Sequence, residues 1–140
     1  MKIIIGSDHA GFKLKKDLIK FLQSLEIAVD DKGTYGIDSV NYPDYAHEVA
    51  KTVLKDKDNL GILICGSANG VCMTANKYKK IRAAIAWQPE IAALAKQHNN
   101  ANVLCLPARY ISTKKAKNIL TAYLDADFEG GRHQKRVELI

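Results

Sequence analysis

Five short runs of aliphatic residues recur along the chain, and longer segments of mixed polarity separate them. The runs have the composition of strands that are buried on both faces, as in a parallel sheet. They occupy residues 2–6, 27–30, 60–65, 82–86 and 102–106. Their alternation with helical segments predicts a Rossmann-like three-layer α/β/α sandwich built on a five-stranded parallel sheet.

The separating segments have the spacing of amphipathic helices. In the first of them the apolar face consists of Phe12, Leu18, Ile19, Leu22 and Leu25. Pro43 and Pro89 suit the first turns of the second and fourth helices, and Ser112 can cap a fifth. A third helix is predicted to begin within residues 68–73, directly after the third strand.

The length and composition indicate one domain over residues 1–140. With 47% hydrophobic residues, a chain of 140 residues can bury a substantial core. No apolar run approaches the roughly 20 residues that a membrane span needs, and the chain starts with the strand-like KIIIGSD instead of a signal peptide. We therefore expect a cytoplasmic protein without a membrane partner.

The formal net charge of +6 would suit a polyanion, but the basic residues are dispersed and only 7% of residues are aromatic. Both features disfavour nucleic-acid binding, whereas a small phosphorylated metabolite needs few of these charges. The three cysteines lack C-x-x-C spacing, so neither a zinc site nor a disulfide framework is expected.

Three segments follow predicted strands at the edge where parallel sheets bind ligands: GSDHAGF, CGSANG and residues 107–109. Asp8 in the first segment is either a simple helix cap or a ligand contact. The adjacent His9 favours a ligand contact, because an imidazole can donate to phosphate or exchange a proton near neutral pH.

CGSANG joins a thiol to a glycine-containing turn before a helix. Gly66 and Gly70 allow backbone N–H groups to face an anion, but the segment lacks the Lys-Ser/Thr pair of a nucleotide P-loop and also the G-x-G-x-x-G pattern. Cys65 is either a core residue or a reactive group, and a helix amino terminus beside it favours the thiolate. Cys72 and Cys105 lack this setting and are expected in the core.

Two further groups lie late in the chain. His98 falls at the end of the fourth helix, where the helix dipole alone could explain it, and Asn99 follows it. Arg132 and Arg136 are four residues apart and would share a helical face if Gly131 starts a helix. The arginine pair is either a solvated tail or a phosphate clamp. No Ser-His-Asp order, H-E-x-x-H motif or paired carboxylates indicate a hydrolase or a metalloenzyme.

The motifs GSDHAGF, NYPDYA, CGSANG, ANK, QHNNANVLCL and EGGRHQKR occur in this order over almost the whole chain. In this combination the chain resembles the type B ribose-5-phosphate isomerase family, which includes allose 6-phosphate and galactose 6-phosphate isomerases. The resemblance implies an aldose–ketose isomerase without a metal or other cofactor. It also implies a homodimer, or a dimer of dimers, whose active sites share residues from two chains.

The resemblance also implies roles for individual residues. Cys65 would be the base that moves a proton between C2 and C1 of the sugar, and His98 would open the furanose ring. Ser67 and the backbone from Gly66 to Gly70 would hold the enediolate oxygen. Asp8, Tyr42 and Asn99 would bind sugar hydroxyls, and Asn69 would be a further substrate-binding residue. Those implied to bind the phosphate are His9, Arg109, Arg132 and Arg136.

Some positions depart from the family pattern. Ala68 and Pro107 stand where glycine is usual, and residues 30–41 carry an altered D-x-G-T turn. Val71 stands where one branch of the family has a glutamate base, so the cysteine branch is the better match. The alternatives left open are an isomerase of a six-carbon sugar phosphate and a non-catalytic phosphosugar-binding subunit.

Overall fold

The computed structural model describes residues 1–140 and contains five strands and six helices. The strands are β1 (Ile3–Ser7), β2 (Val29–Asp31), β3 (Leu60–Cys65), β4 (Ala83–Ile85) and β5 (Val103–Pro107). The helices are α1 (Phe12–Ser24), α2 (Tyr42–Val53), α3 (Asn69–Ala75), α4 (Pro89–Asn99), α5 (Thr113–Leu124) and α6 (Arg132–Val137). Strands and helices alternate as the sequence predicts.

All strand pairs are parallel, and the strand order is β2-β1-β3-β5-β4. The order reverses direction between β1 and β3, which makes their carboxyl ends a topological switch point. In the register, Ser7 pairs with Ile64 and Cys65 pairs with Pro107. The ends of three neighbouring strands therefore meet at one edge of the sheet.

The sheet is covered on both faces, which gives the three layers. Successive strand residues point to opposite faces, so Ile3 and Ile5 pack under α1, α4 and α5, while Ile4 packs under α2 and α3. The two apolar clusters are separate and contain 17 and 14 buried residues. This architecture confirms the predicted α/β/α sandwich with a parallel sheet.

Local details agree with most of the sequence predictions. The Ser112 hydroxyl caps α5 by accepting from the Lys115 N–H at 3.1 Å, and α6 begins directly after Gly131. Leu25 is the exception, because α1 ends at Ser24 and leaves Leu25 as an exposed capping residue. None of the six helices combines the length and apolarity needed to span a membrane.

Lys15 is a buried charged residue, which the amphipathic pattern of α1 did not predict. Its side chain is 1% exposed, and its ammonium group pairs with the carboxylate of Asp31 at the end of β2. Burying a lysine is costly unless it is paired and hydrogen-bonded, so this contact fixes α1 against the β2 edge of the sheet.

Candidate active site

The first part of the candidate site lies where β1, β3 and β5 end. Hydrogen bonds tie the loops that leave these strands to the neighbouring strand ends. The Asp8 N–H donates to the Ile64 carbonyl at 3.2 Å, and the Ala108 N–H donates to the Cys65 carbonyl at 2.9 Å. The Arg109 N–H donates to the Gly66 carbonyl at 3.1 Å. Three chain segments with polar side chains are thus held side by side.

Cys65 is the last residue of β3, and 5% of its surface is exposed. It belongs to the apolar cluster beneath α2 and α3, together with Ala68 and Val71. Because the strand ends at this residue, the thiol lies at the boundary between the core and the ligand edge. That location is compatible with a reactive group that is shielded from bulk water.

The loop after Cys65 presents backbone donors. The N–H groups of Gly66, Ser67 and Ala68 make no hydrogen bond within the chain, and neither do those of Gly70 and Val71. Ala68 has φ +67°, a left-handed conformation that turns the chain sharply into α3. A turn of this kind brings successive N–H groups together into a concave anion-binding arrangement.

Ser67 and Asn69 are both exposed at the mouth of this loop. The Ser67 hydroxyl oxygen accepts from the Asn69 backbone N–H at 3.3 Å and from its side-chain amide at 3.2 Å. Because these contacts use the oxygen as acceptor, the hydroxyl proton of Ser67 remains available to donate. Asn69 therefore orients the Ser67 side chain.

Asp8 and His9 are held by local hydrogen bonds after β1. Asp8 is 7% exposed, and its carboxylate accepts from the Gly11 N–H at 3.1 Å. The Nδ1 atom of His9 accepts from the Val40 N–H at 3.3 Å. A neutral His9 must then carry its proton on Nε2, which can donate to a ligand. Asp8 does contribute to the turn before α1, and its second carboxylate oxygen is not used by that contact.

Two glycines after Cys65 lie in close contact with side chains from other segments. A Cβ atom at Gly70 would lie 2.3 Å from Cζ of Tyr42, so the tyrosine ring rests directly on the glycine backbone. A Cβ atom at Gly66 would lie 3.1 Å from the guanidinium of Arg109. Tyr42 and Arg109 are both exposed residues, and these contacts bring them over the loop that follows Cys65.

The other two thiols are in the core, as the sequence predicts. Cys105 is fully buried, and burial raises the pKa of its thiol well above the usual value. Cys72 donates to the Ala83 carbonyl, with 3.4 Å between sulfur and oxygen. A hydrogen bond with Cys105 lowers the pKa of Cys72, while burial opposes this shift. Neither thiol follows a strand at the ligand edge.

His98 and Asn99 lie at the opposite end of the sheet, where the strands begin. They end α4, which runs back across the sheet before β5 begins. The Arg82 side chain, just before β4, donates to the Asn99 carbonyl at 2.7 Å. The register from Gly61–Val103 to Cys65–Pro107 covers four residue steps, or roughly 13 Å at about 3.3 Å per residue. His98 and Cys65 therefore do not meet within one chain.

Arg132 and Arg136 belong to the His98 side of the molecule. α6 contacts α4, and the Glu129 N–H donates to the Gln97 carbonyl at 3.0 Å. Both arginines are exposed, as is expected of a clamp that is open to a ligand. The residues that the sequence singles out thus form two groups at opposite ends of the sheet.

Glu129 and His133 are two residues near His98 to which the sequence motifs assigned no role. Nε2 of His98 lies 3.8 Å from a Glu129 carboxylate oxygen, and Nε2 of His133 lies 3.5 Å from the same oxygen. The two imidazole rings stack with centroids 4.1 Å apart and planes 11° apart. The signal that could have indicated them is the four-residue spacing between Glu129 and His133 inside EGGRHQKR.

These three side chains have donor atoms within 4.8 Å of one another, and two imidazoles with a carboxylate form a set that zinc accepts. The ring orientation is unfavourable for such an ion. Because the rings are stacked and nearly parallel, their in-plane lone pairs do not converge on one point. The expectation that no metal is used remains a prediction.

The chain is similar to known isomerases over almost its whole length. A family model described as Ribose/Galactose Isomerase matches residues 3–140. Ribose-5-phosphate isomerase B of Escherichia coli is 44% identical over 139 residues, which cover 99% of this chain and 93% of that protein. This similarity extends across both groups of candidate residues.

Solved structures with nearly the same fold include two close relatives. Ribose-5-phosphate isomerase B from Mycoplasma genitalium, with bound ribulose 5-phosphate, has a TM-score of 0.96 at 46% identity and covers 99% of this chain and 92% of that one. A ribose 5-phosphate isomerase from Thermotoga maritima has a TM-score of 0.96 at 45% identity, with coverage of 99% and 95%. The similarity includes every strand and helix described above.

Proposed function

Because the chain belongs to the type B ribose-5-phosphate isomerase family, we propose that it interconverts ribose 5-phosphate and ribulose 5-phosphate through an enediolate, with Cys65 as the base. Membership makes the chain an isomerase, and the proposal concerns its pentose substrate and the role of each residue. The observation that carries the proposal is the thiol at the end of β3, directly before a loop of unpaired N–H groups.

In the proposed reaction, the Cys65 thiolate removes the proton from C2 of the open-chain aldose. The electron pair moves toward the carbonyl at C1 to give an enediolate, and a proton passes from the C2 hydroxyl to the C1 oxygen. The proton held by Cys65 then returns to C1, which leaves the carbonyl at C2 and gives the ketose. Negative charge on the substrate oxygens is greatest between the two transfers that involve Cys65. The N–H groups of Gly66 to Gly70 and the Ser67 hydroxyl are suited to stabilise that charge.

The remaining residues open the sugar ring or bind the substrate in this proposal. His98 takes the proton of the C1 hydroxyl and delivers it to the ring oxygen, so that the bond between C1 and the ring oxygen breaks and the aldehyde forms. This ring opening must precede proton transfer from C2. The residues proposed to contact the sugar part of the substrate are Asp8, Tyr42, Asn69 and Asn99. The residues proposed to bind the phosphate are His9, Arg109, Arg132 and Arg136.

The assay that tests this function measures purified protein, without added metal, on ribose 5-phosphate, allose 6-phosphate and galactose 6-phosphate. We expect the highest kcat/KM for ribose 5-phosphate and no loss of activity after treatment with a chelator. A higher kcat/KM for a six-carbon sugar would reassign the substrate within the family. If no sugar phosphate were turned over, a non-catalytic binding subunit would be the better description.

Replacing Arg132 or Arg136 with alanine should raise KM by roughly 10- to 100-fold, since a hydrogen bond to a charged group contributes about 1.5–3 kcal/mol. The phosphate is remote from the reacting carbons, so kcat should change less than KM. Steady-state kinetics of both variants check this expectation. Lys135→Ala is the matched control, because Lys135 is an exposed cation on the same helix. A wild-type KM in either arginine variant would remove that residue from the clamp.

We further propose that each active site is formed by two chains of a homodimer. This follows from the separation of Cys65 and His98 at opposite edges of the sheet, because a site needing both must take one from a partner. Mixing inactive Cys65→Ala protein with His98→Asn protein should restore ribose 5-phosphate turnover to about a quarter of the wild-type value. Half of randomly exchanged dimers are mixed, and each has one intact site of two.

The control mixture contains Cys65→Ala protein and the Cys65→Ala/His98→Asn double variant, in which no intact site can form. Native mass spectrometry should establish that the subunits have exchanged in both mixtures. A fully active monomer, or mixed dimers without restored turnover, would argue against sites shared between chains.

A further inference from the structure

Beside His98 lie two side chains for which the reaction above has no role. Nε2 of His98 and Nε2 of His133 both lie within 4 Å of the same carboxylate oxygen of Glu129. The carboxylate of Glu129 is the one that lies within ion-pair distance of both imidazoles, and Glu129 precedes α6 in the chain. These two residues therefore share their surroundings with the group proposed to open the sugar ring.

The backbone holds this cluster in place. The Glu129 N–H donates to the Gln97 carbonyl at 3.0 Å, which ties residue 129 to the last turn of α4 beside His98. The His133 N–H donates to the Gly130 carbonyl at 2.9 Å. The side chain of His133 is 8% exposed, whereas that of His98 is 36% exposed. His133 is thus a buried support, and His98 has a face that is open to a ligand.

The stacked arrangement fixes the plane of the His98 ring. With ring centroids 4.1 Å apart and planes 11° apart, His98 cannot tilt toward His133 without a steric clash. The Glu129 carboxylate lies on the Nε2 side of this ring. A carboxylate near Nε2 favours a proton there, and the neutral imidazole must leave Nδ1 as the acceptor.

We propose that Glu129 and His133 are positioning residues for His98: Glu129 keeps a proton on Nε2, His133 fixes the ring plane, and Nδ1 exchanges the proton with the sugar. This inference rests on the ring-opening role proposed for His98. The separations of 3.8 and 3.5 Å are within ion-pair range and longer than a direct hydrogen bond. Glu129 is half exposed and can rotate closer, and such contacts often shorten when substrate binds.

The charges around the cluster are consistent with this division of roles. Burial lowers the pKa of His133, and the neighbouring His98, Arg132 and Arg136 lower it further, while Glu129 opposes them. This lowered pKa favours a neutral His133, which adds no positive charge against the His98 ring.

The test compares Glu129→Gln with wild-type protein by nitrogen NMR of the His98 imidazole and by single-turnover kinetics. In wild type we expect the proton on Nε2 of neutral His98. Glu129→Gln should move a measurable fraction of it to Nδ1 and slow enediol formation from ribose 5-phosphate by about 10- to 100-fold, as for other groups that orient a functional histidine. Enediol formation from ribulose 5-phosphate should change little. Glu138→Gln, at an exposed acid directly after α6, is the matched control and should behave as wild type.

His133 is tested by two replacements that separate stacking from chemistry. His133→Phe keeps a flat ring against His98 and should retain most of the ring-opening rate, whereas His133→Ala should lose about 10-fold in that rate. KM should remain within about twofold in both, because neither change removes a phosphate ligand. Equal rates in the two variants would exclude the stacking role.

The NMR result separates this inference from the proposed function. An unchanged His98 tautomer in Glu129→Gln would overturn the positioning role of Glu129 even if His98 proved to open the ring. A changed tautomer with unchanged single-turnover rates would also overturn the positioning role, whereas the ring-opening role of His98 is tested separately by the His98→Asn variant.

Discussion

Replacing Cys65 with alanine is expected to lower kcat by about 10²- to 10⁴-fold in both reaction directions, the usual cost of removing a general base. The loss should be the same for ribose 5-phosphate and ribulose 5-phosphate, because proton transfer between C2 and C1 is common to both. The thiol is almost fully shielded from solvent, so water is a poor substitute. The measurement is exchange of the transferred proton with deuterated solvent, followed in single-turnover mixtures.

Cys72→Ala is the matched control, since Cys72 is also a buried thiol and belongs to the same apolar cluster. Its sulfur is directed to the Ala83 carbonyl, away from the ligand edge, so kcat should stay near the wild-type value. Thermal unfolding of both variants would establish that each is folded. If solvent exchange persisted in Cys65→Ala at the wild-type rate, another group would have to be the base.

Replacing His98 with asparagine should impair the two directions unequally. Ribose 5-phosphate is mostly a closed ring that must open before its C2 proton is accessible, and we expect a loss of about 10²-fold or more in that direction. Ribulose 5-phosphate cannot close a five-membered ring through its phosphorylated C5 oxygen. Its conversion to the enediol should therefore lose much less.

The steady-state rates in the two directions remain linked by the equilibrium constant, so single-turnover formation of the enediol from each sugar is the appropriate measurement. His47→Asn provides a matched control, because His47 is a partly buried histidine whose ring contacts Tyr78 at 2.7 Å, outside both groups of candidate residues. Equal losses from both sugars in His98→Asn would show that His98 does not act in ring opening.

Much of the fold could be predicted because its core depends on alternation of side chains, which the sequence displays directly. The runs around β1, β3 and β5 are apolar on both faces and lie in the centre of the sheet. The outer strands β2 and β4 have only three residues each, and all of these are partly exposed. Outer strands pair on one side only, so their hydrophobic pattern defines their limits less well.

The candidate site was only partly predictable. Position within the βα alternation assigns some residues to an end of the sheet, but it does not reveal contacts made by irregular segments. Cys65 and Asp8 follow strands directly, and this fixes their edge from the βα alternation alone. His98 ends a helix that runs opposite to the strands, which assigns it to the other edge. The contact of Glu129 with His98 depends on how residues 125–131 return to α4, and no local pattern specifies that path.

The left-handed Ala68 determines how the loop beneath the substrate can move. At this backbone conformation alanine costs about 1–2 kcal/mol, and glycine would relieve it. The Ala68 methyl group, however, is completely buried against the core, where it contributes about 0.8 kcal/mol, and glycine would also add freedom to the unfolded chain. For a change from Ala68 to glycine, the relief of backbone strain and these two losses of stability nearly cancel, so alanine is tolerated. Movement of the loop would withdraw that methyl group from the core and leave a cavity. The backbone N–H donors of the loop are therefore held in a fixed arrangement before substrate binds.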